Sequence, residues 1–159
     1  MTIRPMRGTD VDACAALMLA TPLWITYHVT PERARAIFVD AVGGASTGLV
    51  AVDGGRVIGF VVYRLRGTFA HSGYILDVGV AGDAQNRGVG TLLMDAAETE
   101  ILRAGPNVFL LVSAFNTRAQ RFYERRGYQR IGEIPDYIQP GTTEVLYRKT
   151  LGPIQAGNH

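Results

Sequence analysis

A chain of 159 residues with 47% hydrophobic and 19% charged side chains has the balance of a folded domain rather than a disordered segment, with room for one core and little for a second. No apolar run comes near the length of about 20 that a membrane helix needs; no basic-then-apolar leader opens it, and the single Cys14 cannot form an internal disulfide. The expectation is a cytoplasmic protein without a membrane partner, whose net charge of +2 is too small to demand nucleic acid yet suits an anionic small ligand.

In chain order, Thr2 to Met6 reads as a short strand, followed by a turn over Arg7 to Asp10. Thr9 is expected to cap a helix reaching about Ala20, with Asp10 and Asp12 in its first turn. Pro22 ends that helix and leaves Leu23, Trp24, Tyr27 and His28 in an aromatic connection, before Pro31 opens a second helix to about Val42. Leu49–Val52 and Val57–Leu65, joined by Asp53-Gly54-Gly55, read as a β-hairpin. Tyr74 to Val80 is a strand interrupted by Gly79, a residue that marks a bulge or a close approach by another backbone or a ligand.

Gly88 to about Ala104 is a long amphipathic helix in which Leu92, Leu93, Ala96, Ala97, Ile101 and Leu102 recur at helical spacing. Gly105-Pro106 closes it. Val108 to Val112 suits a buried central strand. Asn116 caps a helix to about Arg126, and Tyr128–Ile131 and Glu144–Arg148 supply two last strands. The order β α α β β β α β α β β argues for a mixed α/β sheet covered by helices, with a parallel pairing around the Gly88 helix. A single domain over 1–151 is expected, with a flexible tail over 152–159.

The stretch Val78-Gly79-Val80-Ala81-Gly82-Asp83-Ala84-Gln85-Asn86-Arg87-Gly88-Val89-Gly90 runs from a strand through a loop into the positive end of that helix. Backbone N–H groups from Gln85 to Gly90 lack intrahelical acceptors, and the glycines let a large anion approach, so the segment is a candidate phosphate cradle; a plain tight turn is the alternative. A dinucleotide fingerprint would need glycine where Leu93 stands, and a nucleotide-hydrolase loop would need Gly-Lys-Ser/Thr, which is absent.

The segment resembles the acyl-CoA pyrophosphate loop of the GNAT superfamily of N-acetyltransferases, Gln/Arg-x-x-Gly-x-Gly/Ala after a strand ending in Val, with Gln85, Gly88 and Gly90 in register. Downstream, Asn116-Thr117-Arg118-Ala119-Gln120-Arg121-Phe122-Tyr123-Glu124-Arg125-Arg126-Gly127-Tyr128 is similar to that family's Asn-x-x-Ala-x-x-hydrophobic-Tyr-Glu-x-x-Gly-Phe/Tyr segment. Gly82 departs from the proline that many relatives carry, which touches loop stiffness. The region from Tyr137 through Glu144 to Lys149 is loosely similar to ribosomal-protein alanine and protein N-terminal acetyltransferases.

The resemblance implies a partly splayed six- to seven-stranded sheet flanked by about four helices, and transfer of an acetyl group from acetyl-CoA to a primary amine by direct attack. It implies that main-chain groups of Gln85, Asn86, Arg87, Gly88, Val89, Gly90 and Thr91 hold the CoA pyrophosphate. Val78, Gly79 and Val80 would serve the pantetheine arm, Asn116, Ala119 and Phe122 would contact the cosubstrate, and Tyr123 would protonate the departing thiolate. Each has a plainer alternative: a core aromatic for Tyr123, a helix cap for Asn116, and an exposed basic face for Arg118, Arg121 and Arg125.

Asp77, next to the presumed thioester strand, is the candidate general base, with His71, His28 and an ordered water as competitors. An α-amine, with a pKa near 7.8, needs less help from a base than a lysine side chain near 10.4. Trp24, Tyr27, His28 and Tyr137, on loops flanking the sheet, are the candidate acceptor residues; a small amine, an amino acid and a peptide N-terminus all fit. Cys14 reads as a small buried hydrophobe. No His or Cys pair has metal-ligand spacing, so no metal is expected. A homodimer is allowed by the edge strands. The alternative function is a non-catalytic acyl-CoA-binding sensor or scaffold; a nucleic-acid module built on the arginine stripe is weaker still.

Overall fold

The first strand, β1 (Thr2–Pro5), enters its helix around a buried carboxylate. Asp10, 5% exposed, accepts two bonds from the Arg4 guanidinium at 2.8 and 3.0 Å and one from the Arg7 N–H at 2.8 Å. The Arg4 bond and the Arg7 N–H together outweigh the cost of burial and hold the carboxyl below its usual range. Thr9, expected to cap the helix, lies instead inside a 3-10 turn, Gly8–Asp10, that precedes α1 (Val11–Leu19). A carboxylate with charge-assisted bonds to Arg4 is a stronger anchor than a threonine hydroxyl.

The aromatic connection is also more ordered than expected. Pro22, with its φ already set for a helix, starts a short α2 (Pro22–Thr26), and the Thr21 carbonyl accepts from both Trp24 and Ile25 at 3.1 Å. Helix α3 (Pro31–Gly43) opens under the Thr30 hydroxyl, which accepts from Arg33, and stops at Gly44 with φ +95°. Strands β2 (Thr47–Asp53) and β3 (Arg56–Thr68) form the expected hairpin; Gly54 and Gly55 both have positive φ, as a two-residue turn of this hand requires. The remaining elements are β4 (Ser72–Val80), α4 (Val89–Ala104), β5 (Asn107–Ser113), α5 (Thr117–Arg125), β6 (Gln129–Pro135) and β7 (Thr143–Thr150).

The computed structural model describes residues 1–155, and the end of the expected tail, 156–159, lies outside the described residues. Seven strands form one mixed sheet in the order β1-β2-β3-β4-β5-β7-β6, with five α-helices among the described residues. The expected parallel pairing is present: β4 runs parallel to β5 around α4. The chain divides into two compact units, residues 1–64 with 76–99, and residues 65–75 with 100–159.

In the first unit, alternation along β3 sends Phe60 and Val62 to one face, where they join Cys14 and Met18 of α1, Trp24 of α2 and Phe38 of α3 in one buried cluster. Phe60 is its hub, 4.8 Å from the Phe38 ring edge-on and 5.8 Å from Trp24. On the opposite face a Cβ at Gly59 would lie 3.0 Å from Val89 and Leu93 of α4, so the missing side chain is what lets that helix sit down on the sheet. Cys14 is fully buried and its thiol is pushed up to about 12, chiefly by burial; it is an inert apolar filler.

In the second unit, β5 lies between parallel β4 and antiparallel β7, and β6 pairs with β7 at the edge. Tyr147, fully buried, donates its hydroxyl to Glu124 of α5 at 2.8 Å. Burial first, and that carboxylate acceptor second, raise its phenol to about 12. Gly152, at the start of the expected tail, is tied back: its carbonyl accepts from Asn107 and from the Thr150 hydroxyl. A Cβ at Gly73 would overlap the Ile101 side chain of α4. Gly73→Ala is therefore expected to lower stability by about 2–3 kcal/mol, read as a lower urea midpoint at unchanged slope.

Candidate active site

The registered pairing of β4 with β5 covers Gly73–Ile75 against Val108–Leu110, while β4 continues to Val80 and β5 to Ser113. Leu76–Val80, the stretch that leads into the predicted cradle, therefore lies beyond the registered pairs. Gly79 faces the α1–α3 layer, since a Cβ there would stand 2.7 Å from the Phe60 ring and 3.2 Å from Leu17, and strand alternation puts Asp77 on the same face. Close approach by an aromatic ring is a sufficient packing reason for glycine at 79. Val78 and Val80 are half-buried.

Past β4, the Ala81 N–H donates to the Ile58 carbonyl at 2.8 Å and a 3-10 turn over Gly82–Ala84 buries Ala84. Gly82 has open space where a Cβ would stand. The chain then passes through Asn86 at φ +63° and Gly88 at φ +77° into α4. Gln85, Asn86, Arg87, Gly88 and Thr91 are exposed and Gly90 half-buried, while Val89 is buried against Gly59. The first α4 backbone bond runs from the Leu92 N–H to the Gly88 carbonyl at 3.1 Å, so the N–H groups of Val89, Gly90 and Thr91 begin the helix with no acceptor inside it.

Two ion pairs bracket this loop. Arg87 reaches Asp53 at 2.9 Å and Asp83 reaches Arg56 at 2.8 Å, tying the loop to the hairpin turn between β2 and β3. Both pairs are about half exposed and each is worth less than about 1 kcal/mol. Their effect is to fix the loop's position, and they engage the Arg87 guanidinium in structure.

Asp77 is the site's perturbed group. Its carboxyl is pushed up to about 6, chiefly by burial. That value suits a general base at neutral pH. The competing histidines are both exposed, His28 at the exit of α2 with φ +54° and His71 in the turn before β4. Of the expected acceptor residues, Trp24 is buried, Tyr27 half-buried, and Tyr137 61% exposed. Tyr137 projects from the β6–β7 loop, which Asp136 closes by accepting from the Gly141 N–H at 2.8 Å.

In the second unit, Asn116 does cap α5: its side-chain oxygen accepts from the Ala119 N–H at 3.2 Å. No α5 side chain is fully buried, and Ala119, Phe122 and Tyr123 are half-buried. The Tyr123 ring is held between Phe122, 5.2 Å away, and Tyr128, 5.6 Å away and edge-on. Arg118, Arg121 and Arg125 are exposed.

Residues 15–128 match the Acetyltransferase (GNAT) family. The chain belongs to that family. GNAT proteins are acyltransferase enzymes, and the mixed seven-stranded sheet is the fold of its solved neighbours. N-alpha-acetyltransferase 60 of Xenopus tropicalis is 27% identical over 126 residues, covering 62% of this chain and 52% of that protein, so the chain spans about half the length of the curated relative. A ribosomal-protein-alanine N-acetyltransferase from Brucella melitensis superposes with a TM-score of 0.77 at 22% identity, over 95% of this chain and 100% of that one. An aminoglycoside 6'-N-acetyltransferase complexed with coenzyme A superposes with a TM-score of 0.78 at 17% identity, over 98% and 100%.

One polar feature of this GNAT chain escapes a reading of its sequence: Glu144, 2% exposed on β7, whose two carboxylate oxygens share the Ser113 hydroxyl of β5 at 3.0 and 3.2 Å. The two residues are distant in sequence, and only sheet register joins them. No helix among the described residues is long and apolar enough to cross a membrane.

Proposed function

We propose that this chain is an acetyl-CoA-dependent N-acetyltransferase that acts by direct transfer and takes an α-amine as acceptor, on a peptide or a small molecule. The observation that carries the reading is Gly88: within the family-matched span, its backbone is left-handed and a Cβ there would enter open space in front of the first turn of α4. Main-chain N–H groups of Val89, Gly90 and Thr91, with the positive end of a sixteen-residue helix, suit a pyrophosphate. Val78 and Val80 are the residues proposed to offer backbone groups to the pantetheine arm, and Asn116, Ala119 and Phe122 those proposed to contact the cosubstrate.

The thioester supplies an activated acyl carbon. Asp77 takes the proton that the acceptor's ammonium must lose before its nitrogen can attack, and the Tyr123 hydroxyl returns a proton to the departing sulfur. A base at about 6 lies about 2 pK units below an α-amine but more than 4 below a lysine side chain, so proton removal disfavours the lysine by roughly a further 400-fold. Tyr27, His28 and Tyr137 are the residues proposed to meet the acceptor. The names carried by the relatives, N-alpha-acetyltransferase and ribosomal-protein-alanine N-acetyltransferase, agree with an α-amine.

The test is thiol release from acetyl-CoA across a panel of lysine-free peptides with a free N-terminus, Nα-blocked lysine peptides and small amines. Free N-termini are expected to exceed blocked lysine peptides in kcat/KM by at least tenfold. Tight acetyl-CoA binding with no product from any amine would overturn the enzymatic reading. Tyr123→Phe is expected to lower kcat roughly 100-fold while the KM for acetyl-CoA stays within about twofold, because a phenol that only protonates the leaving thiolate acts in the transition state and not in binding.

A further inference from the structure

We propose that Tyr147 is the positioning residue of the proton donor: its hydroxyl, bonded to Glu124 on α5, sets the roll of that helix and with it the place of Tyr123, one residue before. The inference rests on the reading of Tyr123 as the group that protonates the departing thiolate. Helix α5 needs such a hold. It is nine residues long and none of its side chains is fully buried, so apolar packing fixes its rotation about its own axis only weakly. A side-chain tip about 6 Å from a helix axis moves about 1 Å for each 10° of roll, and a displacement of about 1 Å at a reacting group is enough to cost about 100-fold in rate.

Tyr147 is a rigid reference for that helix. It stands on the interior strand β7, opposite Leu110 of β5 on one side and Arg130 of β6 on the other, and is fully buried. Its hydroxyl donates to Glu124 Oε1 at 2.8 Å, and Gln120 Oε1 lies 3.4 Å from the same oxygen. Residues 120 and 124 share one face of α5 at helical spacing, so a single hydroxyl meets both. Gln120 is held in turn: its side-chain nitrogen donates to the Ala114 carbonyl at 2.8 Å, which ties the first turn of α5 to the end of β5. The two contacts divide the work. The Ala114 bond fixes where the helix starts, and the Tyr147 bond, one turn further on, fixes which way it faces. A hydroxyl that donates to a carboxylate makes a charge-assisted bond, stronger than a neutral one.

The test is a double-mutant cycle in thiol release from acetyl-CoA, with the most active peptide of the panel above. Tyr147→Phe and Glu124→Ala are each expected to lower kcat about tenfold while the KM for acetyl-CoA stays within about threefold. Glu124→Gln keeps an oxygen for the Tyr147 hydroxyl and is expected to bring kcat back to within about threefold of wild type. In a Tyr123→Phe background, Glu124→Ala is expected to cost less than about twofold further, because the group that it aims is already gone. Glu124 is exposed, so its variants open no cavity in the core and keep the test valid even if Tyr147→Phe fails to fold. A tenfold loss that repeats in full without the Tyr123 hydroxyl is a general structural effect and overturns the proposal, as does a Glu124→Gln enzyme no faster than Glu124→Ala. Loss of rate in Tyr123→Phe beside a wild-type kcat in Glu124→Ala removes the positioning role alone. A wild-type kcat in Tyr123→Phe removes Tyr123 as the proton donor, and this inference with it.

Discussion

Gly88→Glu is expected to abolish acetyl-CoA binding, with a loss of at least about 1,000-fold in affinity by calorimetric titration. Two effects add at this position. Gly88 sits at φ +77°, where any L side chain adds roughly 1–2 kcal/mol of backbone strain. The new carboxylate would also stand before the N–H groups of Val89, Gly90 and Thr91, where the pyrophosphate is proposed to sit, and replace attraction with repulsion. Gly88→Ala separates the two and is expected to cost only about tenfold. Because a Cβ at 88 meets nothing within 4 Å, neither variant overpacks the core, and global stability should fall by no more than the strain itself. A Gly88→Glu protein that still binds acetyl-CoA within threefold of wild type would show that this loop is only a turn.

Asp77→Asn is expected to lower kcat/KM about 100- to 1,000-fold at pH 6.5, the range of general-base catalysis, and to become less damaging as pH rises. An α-amine near 7.8 is mostly neutral by pH 9, so the acceptor then arrives without a proton to lose and the deficit should shrink to within about tenfold. A deficit independent of pH would assign Asp77 to structure.

The same substitution has an opposite signature in stability. Burial pushes the folded carboxyl up to about 6 from its ordinary 3.8, so between those values the folded state binds more protons than the unfolded one. Stability therefore falls as pH rises through that window and the penalty is complete above it. Asparagine is close in shape and removes the desolvated charge. The variant is expected to match wild type near pH 4 and exceed it by about 1–3 kcal/mol at pH 7.5, measured as urea midpoints at both pH values. Loss of activity with gain of stability is the mark of a group held against its own solvation for chemistry.

The buried Glu144–Ser113 pair and the Asp10–Arg4 pair contrast with Asp77. Asp10 has a guanidinium and a main-chain N–H, and Glu144 has a hydroxyl on both oxygens. Asp77 is pushed up to about 6, chiefly by burial. Charge-paired and hydrogen-bonded carboxylates hold structure, whereas a carboxylate desolvated without a charge partner keeps proton affinity in reserve.

The sequence by itself determined the elements whose cause is local. The two glycines after Asp53 dictate a hairpin turn, Pro22 and Pro31 begin helices, Asn116 caps α5, and the spelling around Gln85, Gly88 and Gly90 marks a glycine-bearing loop that leads from a strand into a helix. Together with the Asn116–Tyr128 segment, these were enough to place the chain in its family. Local signals also misplaced details: Thr9 reads as a cap until Asp10 is seen to hold Arg4, and the Leu23–His28 stretch reads as a connection although α2 occupies most of it. Only the tertiary structure decided what depends on residues far apart in the chain. Alternation along β4 says that Asp77 and Val78 point opposite ways, but not which face carries α1–α3; the Phe60 ring and Leu17 lying against Gly79 settle that face. Gly79 and Gly59 look alike in sequence, yet one makes room for Phe60 and the other for α4. Turn and cap chemistry acts between neighbours and is written in their order, whereas burial, and the pKa it shifts, is a property of what the fold brings alongside.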